Sequence, residues 1–96
     1  MDDHEARLKR IVMRSWRRGT REMDLILGPF AEAELAAMDA ESLDAYERLL
    51  EENDQDLYSW ITARLKGGTA GPQVHAPMLD RIAAHAQSRL REIRGA

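Results

Sequence analysis

Between Glu5 and Arg17 the positions Leu8, Ile11, Val12 and Ser15 fall at i, i+3, i+4 and i+7, with Met13 and Trp16 widening the stripe. That spacing turns one face of a helix toward a core and predicts a first helix here. A second begins after Gly19 with Thr20 as N-cap, because Met23, Ile26, Leu27 and Phe30 repeat the pattern. Gly28 and Pro29 interrupt it, since proline has no N–H to bond back to Leu25 and disfavours helix at the residue before it. A kink or break is expected there, with a further turn or two from Phe30 to Ala37. Met38 to Ala40 reads as a turn in which Asp39 caps a third helix, with Leu43, Tyr46, Leu49 and Leu50 along one side. Glu41 and Asp44 suit its positive N-terminus. Asn53 to Asp56 breaks the pattern and caps a fourth helix holding Leu57, Trp60, Ile61 and Leu65, which Gly67 and Gly68 stop. Residues 67–77 contain three glycines and two prolines without periodicity and read as a flexible loop. Pro77 suits the first turn of a last helix, whose stripe is Leu79, Ile82, Ala83, Ala86, Leu90 and Ile93.

Five short helices and no credible strand predict an all-α fold, a small five-helix bundle with short connections and a single domain over residues 1–96. A hydrophobic share of 44% and a charged share of 32% suit an ordinary globular core. The chain has no cysteine, which excludes a disulfide framework and thiolate metal sites. No apolar run approaches the roughly 20 residues that span a bilayer, so no membrane partner is expected. The opening Met1, Asp2, Asp3, His4 and Glu5 is acidic where an import or secretion signal is basic, which favours a cytoplasmic protein.

The net charge of -3 is unevenly spread. Arg7, Lys9, Arg10, Arg14, Arg17, Arg18 and Arg21 crowd the first fifth, while Glu22 to Asp56 holds twelve acids against the lone base Arg48. A pI near 5.6 argues against a nucleic-acid partner. His4, His75 and His85 are scattered, with no pair at ligand spacing, so no metal site is predicted. His85 reads as packed or half-exposed beside the last stripe, and His4 and His75 fall in segments read as mobile. The run GGTAGP at 67–72 follows a helix and lacks the lysine and hydroxyl of a phosphate cradle. No catalytic residue is identified, because an acid or base working near neutrality needs a pocket that five short helices scarcely provide.

The turn Arg17, Arg18, Gly19, Thr20, Arg21, Glu22 has two readings. Gly19 ends one helix, and Glu22 and Asp24 stand early in the next because its dipole favours acids there; or the charged corner meets a partner. The stretch RSWRRGTREMDLILGPFAE resembles the signature of the small flavinylation factors of succinate dehydrogenase, the SdhE type of bacteria and the mitochondrial FAD assembly factors. Their Arg-Gly-x-x-Glu turn is matched by Arg18, Gly19, Thr20, Arg21 and Glu22, with Asp24 following. The similarity runs on through Leu25 to Leu27, YERLLEEND at 46–54 and LYSWI at 57–61, and fades after Lys66.

The resemblance implies an assembly factor, not an enzyme, that binds the flavoprotein subunit of succinate dehydrogenase, with fumarate reductase as a second candidate. It would promote covalent attachment of FAD to a histidine of that subunit. FAD then acts through the partner and is not held stably by this chain. The mitochondrial members begin with a presequence, so the acidic opening favours a bacterial cytoplasmic version, and no sustained heptad seam argues against a monomer. Arg17, Arg18, Gly19, Glu22 and Asp24 are the expected partner-binding residues. Gly19 gives close backbone approach, Arg18 and Glu22 charge-assisted hydrogen bonds, and Arg17 and Asp24 local orientation, with Arg18 as the anchor. The alternatives are a small regulatory module, antitoxin-like or nucleic-acid-associated, using Arg7 to Arg21, and an adaptor using the acidic middle.

Overall fold

The computed structural model describes the backbone of residues 2–95 and the side chains of residues 2–92. Five α-helices occur among them and no strand, as the periodicity predicts. Helix α1 spans Asp3–Trp16 and starts where the Asp2 carboxylate accepts the Glu5 N–H at 2.7 Å. After it Gly19 takes a φ of 103°, a left-handed conformation open to glycine at little cost. Thr20 then caps α2, Arg21–Glu34, its Oγ1 accepting the Met23 N–H at 3.3 Å.

Helix α2 runs through Pro29 without the break that was one of the two expected outcomes. The carbonyl that proline leaves without a helical donor belongs to Leu25, and it accepts Nη1 of Arg89 from the last helix at 3.2 Å. Gly28, the other expected breaker, lies under the Trp16 indole. A Cβ there would fall 2.3 Å from the ring, so only glycine lets α1 and α2 cross this closely. A single 3-10 turn, Leu35–Ala37, completes the segment.

Asp39 caps α3, Ala40–Leu50, and the Ser42 backbone N–H it accepts holds its carboxyl below the ordinary value. Asn53 caps α4, Asp54–Leu65, through the Asp56 N–H at 2.8 Å. The connection that follows is irregular only over residues 67–72; a 3-10 turn, Gln73–His75, leads into α5, Ala76–Gly95, with Pro77 in its first turn. Gly71, at φ 109°, packs so closely that a Cβ would sit 3.0 Å from the Trp60 ring.

One hydrophobic cluster joins all five helices, with Ile11 from α1, Phe30 from α2, Tyr46 from α3, Ile61 from α4 and Leu79 from α5 each at 1% exposure or less. Helix α2 lies centrally against α1, α4 and α5. The buried Ser15 is paired: its Oγ bonds the Ile11 carbonyl at 2.8 Å and shares a 2.7 Å hydrogen bond with the Tyr46 hydroxyl, whereas the buried Nδ1 of His85 has no hydrogen-bond partner among the described residues. Two assigned stripe positions are exposed instead, Met13 at 49% and Leu90 at 45%. Leu90 lies two turns beyond the buried pair Ile82 and Ala83. The side chain of Ile93, the last stripe position, lies outside the described residues.

Candidate functional site

The charged corner forms where α1 ends, Gly19 reverses the chain and α2 begins. Its five predicted residues divide into two sets. Arg18 turns inward, its side chain only 11% exposed, and places donors on three separate acceptors. Nε meets Asp54 Oδ1 at 2.8 Å, Nη1 the Leu50 carbonyl at 2.7 Å and Nη2 the Glu52 carbonyl at 2.8 Å. The Leu50 carbonyl is one of those left over at the end of α3, where the helix dipole also favours a cation. Asp24 belongs to the same device, because its Oδ1 accepts the Arg18 backbone N–H at 2.6 Å. Arg17, Gly19 and Glu22 are exposed, and among the described residues Glu22 has no hydrogen-bond or ion-pair partner.

The expectation that the Arg18 guanidinium reaches outward is therefore corrected. Asp54, at the start of α4 and 36 residues away, captures it, and nothing in the turn itself signals that partner. Arg18 fixes the corner from beneath, locking the α1 end to the α3–α4 junction. The surface left to a visitor is the Gly19 backbone with Arg17 and Glu22 around it. Glu22 lines a shallow pocket with Thr20, Asp54, Gln55 and Tyr58.

Much of the basic first helix is answered by the acidic middle of the chain. Arg7 bonds Asp44 and Glu47, and these hydrogen bonds raise its guanidinium further above the ordinary arginine value. Arg14 reaches Glu51 at 3.2 Å. The face that would have met phosphate is thus partly spent on α3, which weakens the nucleic-acid reading.

The histidines do not converge. His4 stands exposed in the first turn of α1, and His75, expected in a mobile segment, is 6% exposed. Its Nε2 lies 2.9 Å from Glu52 Oε2, and its ring stacks at a tilt on Trp60. His85 is half-buried as expected, edge-on to Phe30 with ring centroids 5.7 Å apart. Among the described residues no group of three or more His, Cys, Asp or Glu is placed to hold a metal ion. A groove beside Trp16 and His85 carries the carboxylates Glu32 and Glu92, which oppose the phosphates of a dinucleotide, together with one cation, Arg89.

Sequence reasoning missed the apolar surface beside the corner. Leu25, Tyr58 and Leu90 are 50%, 43% and 45% exposed and line one groove between α2, α4 and α5. The available signal was weak: Leu25 and Tyr58 fall off the buried stripes of their helices, and Leu90 had been assigned to one.

Residues 9–86 match a family model described as the flavinator of succinate dehydrogenase. A Cryptococcus neoformans protein named succinate dehydrogenase assembly factor 2, mitochondrial, is 32% identical over 99 residues, spanning 97% of this chain and 52% of that protein. A protein of the same name from Aspergillus terreus is 43% identical over 61 residues, 64% of this chain and 21% of that one. One from Candida glabrata is 44% identical over 57 residues, 59% of this chain and 37% of that one. The chain thus spans about half, or less, of the curated relatives it matches. These relatives are fungal and mitochondrial by name, which overturns the expectation of a bacterial cytoplasmic protein. The charge of the first five residues was the wrong guide, because an import address is a separate segment and leaves no mark on the pattern of the folded part.

Proposed function

The chain belongs to the family described as the flavinator of succinate dehydrogenase, and from that premise we propose that it is an assembly factor binding the flavoprotein subunit of that enzyme. It promotes the covalent attachment of FAD to the subunit and acts as a monomer. The flavoprotein subunit of fumarate reductase is a second candidate for the same service. The single observation that carries this reading is the corner, an exposed glycine and a Glu22 without a partner among the described residues, held on a junction braced by Arg18 and Asp24.

Such a surface works by positioning. FAD supplies the electrophilic flavin when bound in the partner, and the bond forms there. This chain contributes a rigid template against which the partner's domains align. Correct alignment is worth about 7–11 kcal/mol of barrier in the most favourable intramolecular cases, and a factor capturing a fraction of that changes the rate by orders of magnitude. Gly19 lets the partner's backbone approach, Glu22 accepts a charge-assisted hydrogen bond and Arg17 donates one. Arg18 and Asp24 contribute by holding these in register.

The test uses the purified flavoprotein subunit lacking covalent flavin, with FAD and this chain added, and reads flavin fluorescence of the subunit after denaturing electrophoresis. Glu22→Ala is expected to slow flavinylation about tenfold, one charged hydrogen bond's worth, with an unchanged thermal midpoint. Arg18→Ala is expected to lose activity and stability together, by about 2–3 kcal/mol, because it strands Asp54, the last carbonyl of α3 and the Glu52 carbonyl in the turn after it. Normal labelling with Glu22→Ala would reduce the corner to a helix junction.

A further inference from the structure

We propose that the apolar groove between α2, α4 and α5 receives an apolar segment of the flavoprotein partner, one carrying an arginine or lysine at its Glu22 end. The proposal rests on the partner reading above and extends it from a polar corner to a longer two-part surface.

Three observations carry it. The described residues include five strongly exposed large hydrophobics, and three of them, Leu25, Tyr58 and Leu90, converge on this one groove. Scattered apolar residues are normal on a surface, whereas a cluster contributed by three separate helices marks an interaction site. Ile26, Leu65 and Ala86 add apolar lining to a depression of about 460 Å3. The groove also adjoins the corner, because Tyr58 lines both it and the pocket that holds Glu22.

Charge then orients the occupant. Of the two carboxylates in the corner pocket, Asp54 already receives Arg18, while Glu22 has no partner among the described residues. The groove's one basic lining residue, Arg89, has Nη1 turned onto the Leu25 carbonyl. A complementary segment therefore brings a positive side chain to Glu22 and uncharged apolar side chains to Leu25, Tyr58 and Leu90.

Calorimetric titration against the succinate dehydrogenase flavoprotein subunit tests this. Leu25→Glu and Leu90→Glu should each weaken binding about tenfold or more, since each puts a charge where an apolar contact is buried. Val74→Glu, at a residue 68% exposed and outside the groove, should leave affinity unchanged. Thermal midpoints should stay at the wild-type value, and Tyr58→Ala, which removes a ring without adding charge, is the milder variant if either glutamate fails to fold. Wild-type affinity in the groove variants, with Glu22→Ala impaired, overturns the groove and leaves the corner standing. Impaired groove variants with a normal Glu22→Ala uphold the apolar contact and overturn both the basic residue and the corner. A subunit that binds no form of the chain overturns both readings. A concentration-dependent dimer dissolved by Leu25→Glu would show a second copy as occupant and overturn the proposal.

Discussion

Arg18 shows how a residue identified by its neighbours in sequence is assigned its task by neighbours in space. The turn around it marks it as special, but its three acceptors come from Leu50, Glu52 and Asp54, and only the folded α3–α4 junction brings them within 2.8 Å. Glu22 has no such partners among the described residues and stays at the surface, so two residues of one short motif bear on opposite sides of the same corner. Tyr46 makes a related point about chemistry. Burial raises its phenol from an ordinary 10.0 to about 12, and the hydrogen bond with Ser15 only partly opposes that. Between those two values the unfolded chain has released the proton and the folded chain still holds it, so unfolding releases a proton and stability falls as pH rises. The loss is about 1.4 kcal/mol per pH unit across that window and roughly 2.7 in all. Tyr46→Phe lacks this term while losing about 1 kcal/mol for the missing hydrogen bond. Urea midpoints of the two proteins should therefore meet about 0.7 pH unit above pH 10 and then cross, with Tyr46→Phe the more stable by roughly 1 kcal/mol or more near pH 12; a constant gap would mean the phenol titrates alike in both states.

At the scale of elements, the crossing of α1 and α2 rests on Gly28, whose missing side chain is the space that the Trp16 indole occupies. Gly28→Ala adds a methyl 2.3 Å from that ring and is expected to destabilise by about 2 kcal/mol, within the usual range for overpacking. In a Trp16→Ala background the clash disappears, and the better helix propensity of alanine should make the same change neutral or stabilising by up to about 1 kcal/mol. Urea titration of the four proteins gives that cycle, and additive effects would show that the two residues do not oppose one another. The helices themselves were legible because each carries an apolar stripe and the first four a polar cap; Thr20 and Asp39 cap as expected, and Asn53 is the one of residues 53–56 that caps α4. The passage of α2 through Pro29 was not, because the donor that satisfies Leu25 is Arg89, 64 residues onward. Met13 and Leu90 were misread for a similar reason. Periodicity says which face of a helix is apolar, but not how far a neighbouring helix covers it.

At the scale of the molecule, the charge asymmetry of the sequence folds partly onto itself, with Arg7 and Arg14 of α1 facing Asp44, Glu47 and Glu51 of α3. The corner was legible from its glycine, its charges and its resemblance. The groove beside it was not, since each of three helices contributes a single off-pattern apolar residue and only tertiary packing assembles them. The same packing leads to a prediction about the domain. The resemblance was expected to fade after Lys66, although the family match continues to residue 86, and a chain divided there would unfold in two steps. The core instead links Leu79 and Ile82 of α5 with Leu57 and Ile61 of α4 and with Phe30 and Tyr46, in one continuous cluster. Breaking any part exposes apolar surface on the rest, so we expect one cooperative transition. The two tryptophans suit the test: Trp16 reports on the α1–α2 crossing, and Trp60, against Gly71 and His75, on the junction with the last third of the chain. In Trp16→Phe and Trp60→Phe variants, corrected for any common shift in midpoint, the fluorescence of the remaining indole and the helical circular dichroism should trace the same urea curve. If the Trp60 signal moved ahead of the helical signal, residues 67–96 would form a separately melting unit, and the single-domain assignment would fail.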